Sequence, residues 1–239
     1  MNEAFPAGKG VFETIKTFHG APWFVSQHLD RAICGVKVLG IVSPAVAKLE
    51  EELFEYLQQN PVATELGRLR LSIFEDGEIR FLHEEYEEWS NPSRLLMVDA
   101  PVDQSAAFAG IKTLPYVQNI ALLDNAHSQG FDDVVRLNLR NELCESAVAN
   151  ILVRIGGDWI TPNLASGCLP GITRGLLVEH LDIQERRVCG DEIAHVNAAF
   201  LLSSLKGAQP VEVIDERPLE IISDMTQKVR ELLLELSVG

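Results

Sequence analysis

The chain has 239 residues and a mass of 26.4 kDa, and 20 Lys and Arg against 35 Asp and Glu give a formal net charge of −15. This acidic balance argues against nucleic-acid binding, which depends on Lys and Arg to neutralise phosphates. No apolar run approaches the roughly 18 residues that a membrane span needs, and residues 1–6 show no secretory signal. Four scattered cysteines without an export signal favour a reducing, cytoplasmic compartment. We therefore expect an acidic globular protein with no nucleic-acid or membrane partner.

The first half of the chain predicts a mixture of strands and helices. In chain order, the hydrophobic pattern and the turn residues predict a strand at 11–18, helices at 26–40 and 43–60, a hairpin of strands at 68–74 and 78–83, and a strand at 94–100. Ser26 and Ser43 are the predicted N-caps of the two helices, and Asp76-Gly77 is the predicted hairpin turn. Residues 84–88 carry four glutamates and are predicted to form a solvated loop.

Residues 101–110 are rich in small residues and are predicted to link two domains, a small α/β domain at 1–103 and a larger domain at 104–239 that contains Lys112. In the second half the pattern predicts helices at 116–129, 173–181 and 224–236, and strands at 133–138, 149–155, 158–161, 198–203 and 211–214. This mixed order of elements predicts an α+β or mixed α/β fold and not a doubly wound parallel sheet.

Several common catalytic motifs are absent from the sequence. No phosphate loop of the type G-x-x-x-x-G-K-[ST] occurs, and Gly8-Lys9-Gly10 is followed by Glu13 where a dinucleotide fingerprint needs glycine. The six histidines have no partner at metal-ligand spacing, so we predict no metal site. Ser203-Ser204-Leu205-Lys206 fits the acyl-serine pattern S-x-x-K, but the companion elements S-D-N and K-T-G are missing.

The remaining chemistry centres on anion binding and on one lysine. Residues 169–174 form a loop followed by a helix start, whose backbone N–H groups and positive dipole end can hold a phosphate. Ser203, Ser204 and Arg31 are further candidate donors to an anion. Taken singly, the helix start is more simply an ordinary one and Arg31 a solvated side chain. Lys112 lies in an apolar stretch, where a lysine is either a usable amine nucleophile or a partly buried side chain that reaches the surface.

A series of segments covering residues 8–215 resembles, in this order, the class IV aminotransferases, the fold-type IV enzymes that use pyridoxal 5′-phosphate (PLP). The segments are Gly10-Val11-Phe12-Glu13-Thr14-Ile15-Lys16, Phe24 with His28-Leu29-Asp30-Arg31, Ile111-Lys112-Thr113-Leu114, Glu145-Ser146-Ala147-Val148-Ala149-Asn150-Ile151, Thr161-Pro162 with Gly167-Cys168-Leu169-Pro170-Gly171-Ile172-Thr173-Arg174, and Ser203-Ser204 with Gln209-Pro210-Val211.

The resemblance implies a two-domain fold-type IV enzyme that is a homodimer, binds PLP in the cleft between its domains and acts on a small amino substrate. It implies that Lys112 forms the internal aldimine with PLP and shuttles the α-proton, and that Glu145 keeps the pyridine nitrogen protonated so that the ring accepts electrons. The further cofactor-binding residues that it implies are Arg31, Tyr116, Gly171, Ile172, Thr173, Ser203 and Ser204, and it places Phe12 in the substrate pocket.

The substrate stays open among the activities of the family. The segments around Lys112 and Ser203 look most like 4-amino-4-deoxychorismate lyase, an enzyme of folate biosynthesis that eliminates pyruvate to give 4-aminobenzoate. The alternatives are a transaminase for branched-chain or D-amino acids and, in another class, a catalytically silent homologue that binds a ligand. Two departures concern the substrate: Pro115 stands where asparagine is common, and residues 75–91 are glutamate-rich where many relatives are glycine-rich. A dicarboxylate needs cationic partners, for which the candidates are Arg68, Arg70 and Lys206.

Overall fold

The structure, a computed structural model, describes residues 8–238 and leaves out residues 1–7 and residue 239, so the expectation about a secretory signal lies outside the described residues. The helices are α1 (Val25–Val38), α2 (Val46–Gln59), α3 (Val117–Ser128), α4 (Ile172–His180) and α5 (Ser223–Val238). The strands are β1 (Gly10–Phe18), β2 (Ala21–Pro22), β3 (Leu66–Phe74), β4 (Ile79–Glu85), β5 (Ser93–Met97), β6 (Thr113–Leu114), β7 (Asp133–Leu137), β8 (Leu143–Glu145), β9 (Asn150–Ile155), β10 (Asp158–Pro162), β11 (Gln184–Arg186), β12 (Val196–Ser203), β13 (Gly207–Ile214) and β14 (Arg217–Pro218).

The chain divides into two units, and the division differs from the predicted boundary between residues 103 and 104. The first unit runs to Glu88 and takes in Ile111–Val117, while the second contains Trp89–Gly110 and the chain from Gln118 onward. Strand β5 belongs to the second unit because it pairs in parallel with β13 and β7. The Lys112 segment belongs to the first unit because β6 pairs with β1. These pairings join residues far apart in the sequence, which a composition-based linker assignment does not detect.

The first unit is a five-stranded sheet covered on one face by α1 and α2. The strand order is β2-β1-β3-β4, with β6 also pairing with β1. Alternate residues of a strand face opposite sides, so Val11 and Ile15 pack into the helix-covered core while Phe12 belongs to a separate apolar cluster. That core also contains the buried stripe of α1, at the three- and four-residue spacing of an amphipathic helix: Leu29, Ala32, Ile33 and Val36.

The second unit is built on a nine-stranded mixed sheet. The strand order is β11-β10-β9-β12-β13-β5-β7-β8, and β14 pairs with β13. The predicted hairpin between residues 149 and 161 is present as antiparallel β9 and β10. The mixed α/β fold predicted from the sequence is confirmed. In the described part of the chain, no helix is both long enough and apolar enough to cross a bilayer.

Three local predictions in the first unit are wrong. Ser26 lies inside α1, whose N-cap is Phe24 with φ 55°, and α2 begins only after Ala45, so Ser43 caps neither helix. The glutamates of residues 84–88 are not simply a solvated loop. Glu84 lies in β4 and pairs with Arg68, and Glu88 pairs with Lys16. The sheet presents cations to these glutamates, a condition that the local sequence does not reveal.

Candidate active site

Lys112 lies beside two aromatic rings in the first unit. The β6 segment runs antiparallel to the start of β1, and the N–H of Phe12 donates to the carbonyl of Lys112 at 3.0 Å. The half-buried Lys112 side chain places its Nζ 4.5 Å from the ring centroid of Phe12 and 5.3 Å from that of Tyr116. The two rings pack edge to face with centroids 4.9 Å apart. The amine is therefore held against aromatic surface, where a cation is favoured over the ring face.

Two arginines of β3 share this face of the sheet. Arg70 is 4% exposed, and its guanidinium carbon lies 5.1 Å from the same Phe12 ring that contacts Lys112. Burial lowers the pKa of Arg70 to about 10, and the charge of nearby Arg68 adds to the effect. Arg68, two residues earlier on the strand, donates to Glu84 at 2.6 Å. The Phe12 ring thus contacts both the amine of Lys112 and a buried guanidinium.

Arg31 is held by a buried carboxylate on the opposite face of β1. Its Nε and Nη2 donate to the two oxygens of Glu13 at 2.8 and 2.6 Å, a bidentate arrangement. His28 contributes a third hydrogen bond to Glu13, at 2.7 Å from Nδ1. Burial lowers the pKa of His28, although Glu13 opposes the shift. The strand and α1 are therefore joined by an ion pair with a neutral imidazole beside it.

Glu145 ends β8 in the second unit, and its carboxylate is oriented by backbone. Oε2 accepts a hydrogen bond from the N–H of Leu169 at 2.9 Å. The residues that follow Glu145 are fixed by Asp133, which is 1% exposed and accepts from the Ser146 hydroxyl and the Ala147 N–H. Burial raises the pKa of Asp133, while these hydrogen bonds lower it. A rigid loop therefore carries the Glu145 side chain.

Helix α4 begins at a glycine, and no side chain caps its first turn. Gly171 is the N-cap, in an extended conformation, and Ile172 and the buried Thr173 follow. Ser203 is the last residue of β12, and Ser204 follows it in the turn that leads to β13. These residues therefore offer backbone N–H groups and hydroxyl groups as hydrogen-bond donors.

Lys206, predicted to lie in the substrate pocket, is bonded within its own turn. Its Nζ donates to Oε1 of Gln209 at 2.5 Å, and its backbone N–H donates to the Ser203 hydroxyl at 3.1 Å. Burial lowers the pKa of Lys206, and the charge of Asp133 opposes the shift. The indole of Trp89 also donates to the Lys206 carbonyl at 2.8 Å. A substrate role for Lys206 stays a prediction.

The predicted site residues thus fall into one group in each unit, and the sequence reasoning assigned no role to several of their partners. The first group comprises Phe12, Arg31, Arg68, Arg70, Lys112 and Tyr116, and the second comprises Glu145, Gly171, Ile172, Thr173, Ser203, Ser204 and Lys206. The partners without a predicted role are Glu13, His28, Asp133, Asn150 and Leu169. A charged residue inside an apolar strand, such as Glu13, was the available signal.

Comparison with known proteins identifies the family. The model for class IV aminotransferases matches residues 10–214, so the chain belongs to this family. A Thermotoga maritima protein, named a probable branched-chain-amino-acid aminotransferase, is 24% identical over 216 residues, which cover 86% of this chain and 77% of the relative. Aminodeoxychorismate lyase of Bacillus subtilis is 23% identical over 241 residues, covering 90% and 81%. A crystal structure from Legionella pneumophila, provisionally assigned as 4-amino-4-deoxychorismate lyase, superposes with a TM-score of 0.88 at 25% identity, covering 95% of this chain and 91% of that chain.

The chain is therefore an enzyme of the class IV aminotransferase and lyase type, and the cofactor of this family is PLP. The residues present suit that cofactor. The N-cap of α4 is Gly171, so no capping side chain binds the backbone N–H groups of the first turn, and a helix start of this kind suits a phosphate. In the same unit Glu145 offers a carboxylate, and in the first unit Lys112 offers a primary amine. These are the donor and acceptor types that a phosphate, a pyridine nitrogen and an aldehyde require.

Proposed function

We propose that this chain is a PLP-dependent 4-amino-4-deoxychorismate lyase that acts as a homodimer. The observation that carries the choice of reaction is the similarity to the Legionella pneumophila structure, which spans nearly the whole of both chains. The curated lyase of Bacillus subtilis supports it over a comparable span. The reaction removes pyruvate from a cyclohexadiene ring and leaves 4-aminobenzoate, and formation of the aromatic ring drives it forward.

In this proposal Lys112 is both the attachment point of the cofactor and the proton carrier. When bound, PLP supplies an electron sink for the negative charge that develops at the substrate carbon. With PLP bound, the Lys112 Nζ would take the α-proton from the substrate and would give a proton to the departing enolpyruvyl group, which leaves as pyruvate. The Phe12 and Tyr116 rings restrict the positions open to the amine. A proton-transfer group must lie within hydrogen-bond reach of the proton that it moves.

Glu145 and the anion-binding residues hold the cofactor in the proposal. Glu145 keeps the ring nitrogen protonated, and the Leu169 N–H fixes the direction in which the carboxylate points. The phosphate would be bound by the backbone N–H groups of Ile172 and Thr173, by the hydroxyls of Ser203 and Ser204, and by Arg31. Gly171 would serve as the N-cap that begins this helix, because its own N–H donates to the carbonyl of Leu169. Glu13 fixes the orientation of Arg31 through its two oxygens.

Arg70 is the proposed partner of a substrate carboxylate. It is buried beside the ring that also contacts Lys112, so a carboxylate bound there lies near the reacting amine. Arg68 is two residues away on the same face, although Glu84 already neutralises part of its charge. Two carboxylates on the lyase substrate match two cations better than the single carboxylate of a branched-chain amino acid does.

A transaminase for branched-chain amino acids is the second candidate. The similarity to the Thermotoga maritima protein favours it. The two reactions share the removal of the α-proton and diverge afterwards. A transaminase would release a keto acid and would need a second substrate to complete its cycle, which gives ping-pong kinetics. The lyase completes each cycle with one substrate.

The deciding experiment supplies 4-amino-4-deoxychorismate to the PLP-loaded protein without any keto acid. We expect pyruvate and 4-aminobenzoate in equal amounts over many turnovers. Arg70→Gln should raise KM, with a smaller effect on kcat, while Arg80→Gln serves as the matched control because Arg80 lies on β4 and binds Glu78 at the surface. No release of pyruvate, together with keto-acid-dependent conversion of leucine or D-alanine, would replace the lyase by a transaminase.

A further inference from the structure

Asn150 lies among all three segments of the second unit that the proposal assigns to the cofactor. It is the first residue of β9, it is 4% exposed, and its backbone is in register with Leu202, the residue before Ser203. Its Nδ2 donates to the carbonyl of Leu169 at 2.8 Å. A buried amide with a defined backbone partner is a costly group to leave unsatisfied. The hydrogen bond to Leu169 and the pairing of β9 with β12 therefore fix the position of the Asn150 side chain.

The backbone of Leu169 is hydrogen-bonded to both parts of the proposed cofactor site in this unit, the Glu145 carboxylate and the start of α4. The Leu169 N–H donates to Glu145 at 2.9 Å. The Leu169 carbonyl accepts from Asn150 and also from the N–H of Gly171, the N-cap of α4, at 2.8 Å. A shift of Leu169 would therefore move the Glu145 carboxylate and the first turn of α4 together.

Gly171 shows how closely Asn150 approaches the start of the helix. A Cβ at position 171 would overlap with Oδ1 of Asn150. The φ of Gly171 is −67°, a value open to any residue, so close approach and not backbone conformation is what requires glycine here. The amide of Asn150 thus contacts the backbone on both sides of Pro170.

We propose that Asn150 is a positioning residue, which sets the spacing between the carboxylate that serves the ring nitrogen and the helix start that serves the phosphate. This inference rests on the proposed PLP function of the same site. Asn150 acts through Leu169, by holding its carbonyl while the Leu169 N–H holds Glu145. Losing the Nδ2 donor frees the loop of residues 167–171 to move relative to β9.

Replacement by aspartate separates positioning from packing. Asn150→Asp has nearly the same size, but it turns the donor into an acceptor facing the Leu169 carbonyl and adds a negative charge beside an anion-binding helix start. Asn150→Ala removes the amide and leaves a small space. If Asn150 only fills space, alanine should be the more harmful change. If Asn150 positions the loop, aspartate should be the more harmful change.

The experiment measures PLP dissociation constants and the visible absorption band of bound PLP for the wild type and both variants, after urea unfolding has shown that each apoprotein is folded. We expect Asn150→Asp to weaken PLP binding about 10- to 100-fold and Asn150→Ala by about threefold, and both to move the absorption maximum because the Glu145 carboxylate shifts. Asn138→Ala is the matched control, since Asn138 is also buried and also donates to a backbone carbonyl, that of Ser166. It should lose stability while its PLP affinity stays within about twofold of the wild type.

The outcomes distinguish this inference from the function on which it rests. A wild type that does not bind PLP overturns both. A wild type that binds PLP, with Asn150 variants that match it in affinity and spectrum or with alanine worse than aspartate, overturns the positioning role alone. If Asn150→Asp does not fold, Asn150→Ala is compared with Asn138→Ala, and equal effects on PLP affinity and spectrum overturn the role.

Discussion

Glu13 keeps its charge although it is only 1% exposed. Burial alone would raise the pKa of its carboxyl, but the charge and hydrogen bonds of Arg31 and the hydrogen bond of His28 outweigh burial and lower the pKa to about 2. A buried ion pair of this kind is costly to break from one side, because the remaining charge stays without a counter-ion. The ion pair that orients Arg31 therefore also contributes to the stability of the first unit.

This arrangement predicts an acid-sensitive stability. A carboxyl whose pKa falls from 4.5 to about 2 on folding stabilises the protein fully above about pH 4.5 and loses that contribution as pH falls towards 2. The loss amounts to roughly 3 kcal/mol, at about 1.36 kcal/mol per pKa unit. Urea unfolding between pH 7 and pH 2.5 measures it, with Glu13→Gln as the comparison. The variant should be less stable at pH 7 and show a flatter pH profile, and parallel profiles would refute the account.

The sequence placed Glu13, His28 and Arg31 in the segments that resemble the family, but it did not predict the hydrogen bonds among them. Glu13 had no role and Arg31 was expected to serve only the phosphate. The pairing depends on how α1 packs on β1, with partners 15 and 18 positions away from Glu13. Spacing within a helix predicts neighbours on that helix, whereas contacts across a strand and a helix depend on the tertiary structure.

At the scale of the element, two glycines at α4 differ in whether a larger side chain would fit. A Cβ at Gly171 would overlap with Asn150, whereas a Cβ at Gly175, on the exposed side of α4, meets nothing within 4 Å. Gly171→Ala should therefore destabilise the protein by about 1–3 kcal/mol and weaken PLP binding. Gly175→Ala should stabilise it by about 0.5–1 kcal/mol, because glycine is unfavourable within a helix. Denaturant unfolding of the two variants checks this, and equal effects would contradict the close approach at Gly171.

The sequence predicted the type of most elements better than their ends. The hairpin turn at Asp76-Gly77 is present, with Gly77 at φ +84°, because the turn chemistry is local. The helix caps were wrong because α1 begins after Phe24 in a left-handed conformation, which bulky residues seldom adopt. The glutamates of residues 84–88 were misjudged because the cations that they meet lie on other strands.

At the scale of the whole molecule, each of the two units is built from segments that are not continuous in the chain. The chain leaves the first unit at Glu88 and returns to it for Ile111–Val117 before completing the second. The return brings Lys112 to β1, next to Phe12. Lys112 was predicted as the reactive lysine and was placed in the larger domain at 104–239, whereas the structure assigns it to the first unit. Long-range strand pairing determines that assignment, and composition cannot show it.

Reduction of the PLP-loaded protein with borohydride tests the central claim most directly, because it makes the bond between the cofactor and its lysine permanent. The chain has seven lysines, and Lys112 is the one that the account selects. Trypsin does not cleave after a modified lysine, so the account predicts a single labelled peptide of residues 95–136 with the PLP mass on Lys112. Lys112→Arg should fold and carry no label. A label on another lysine of the wild type, or no label after visible PLP binding, would contradict the account.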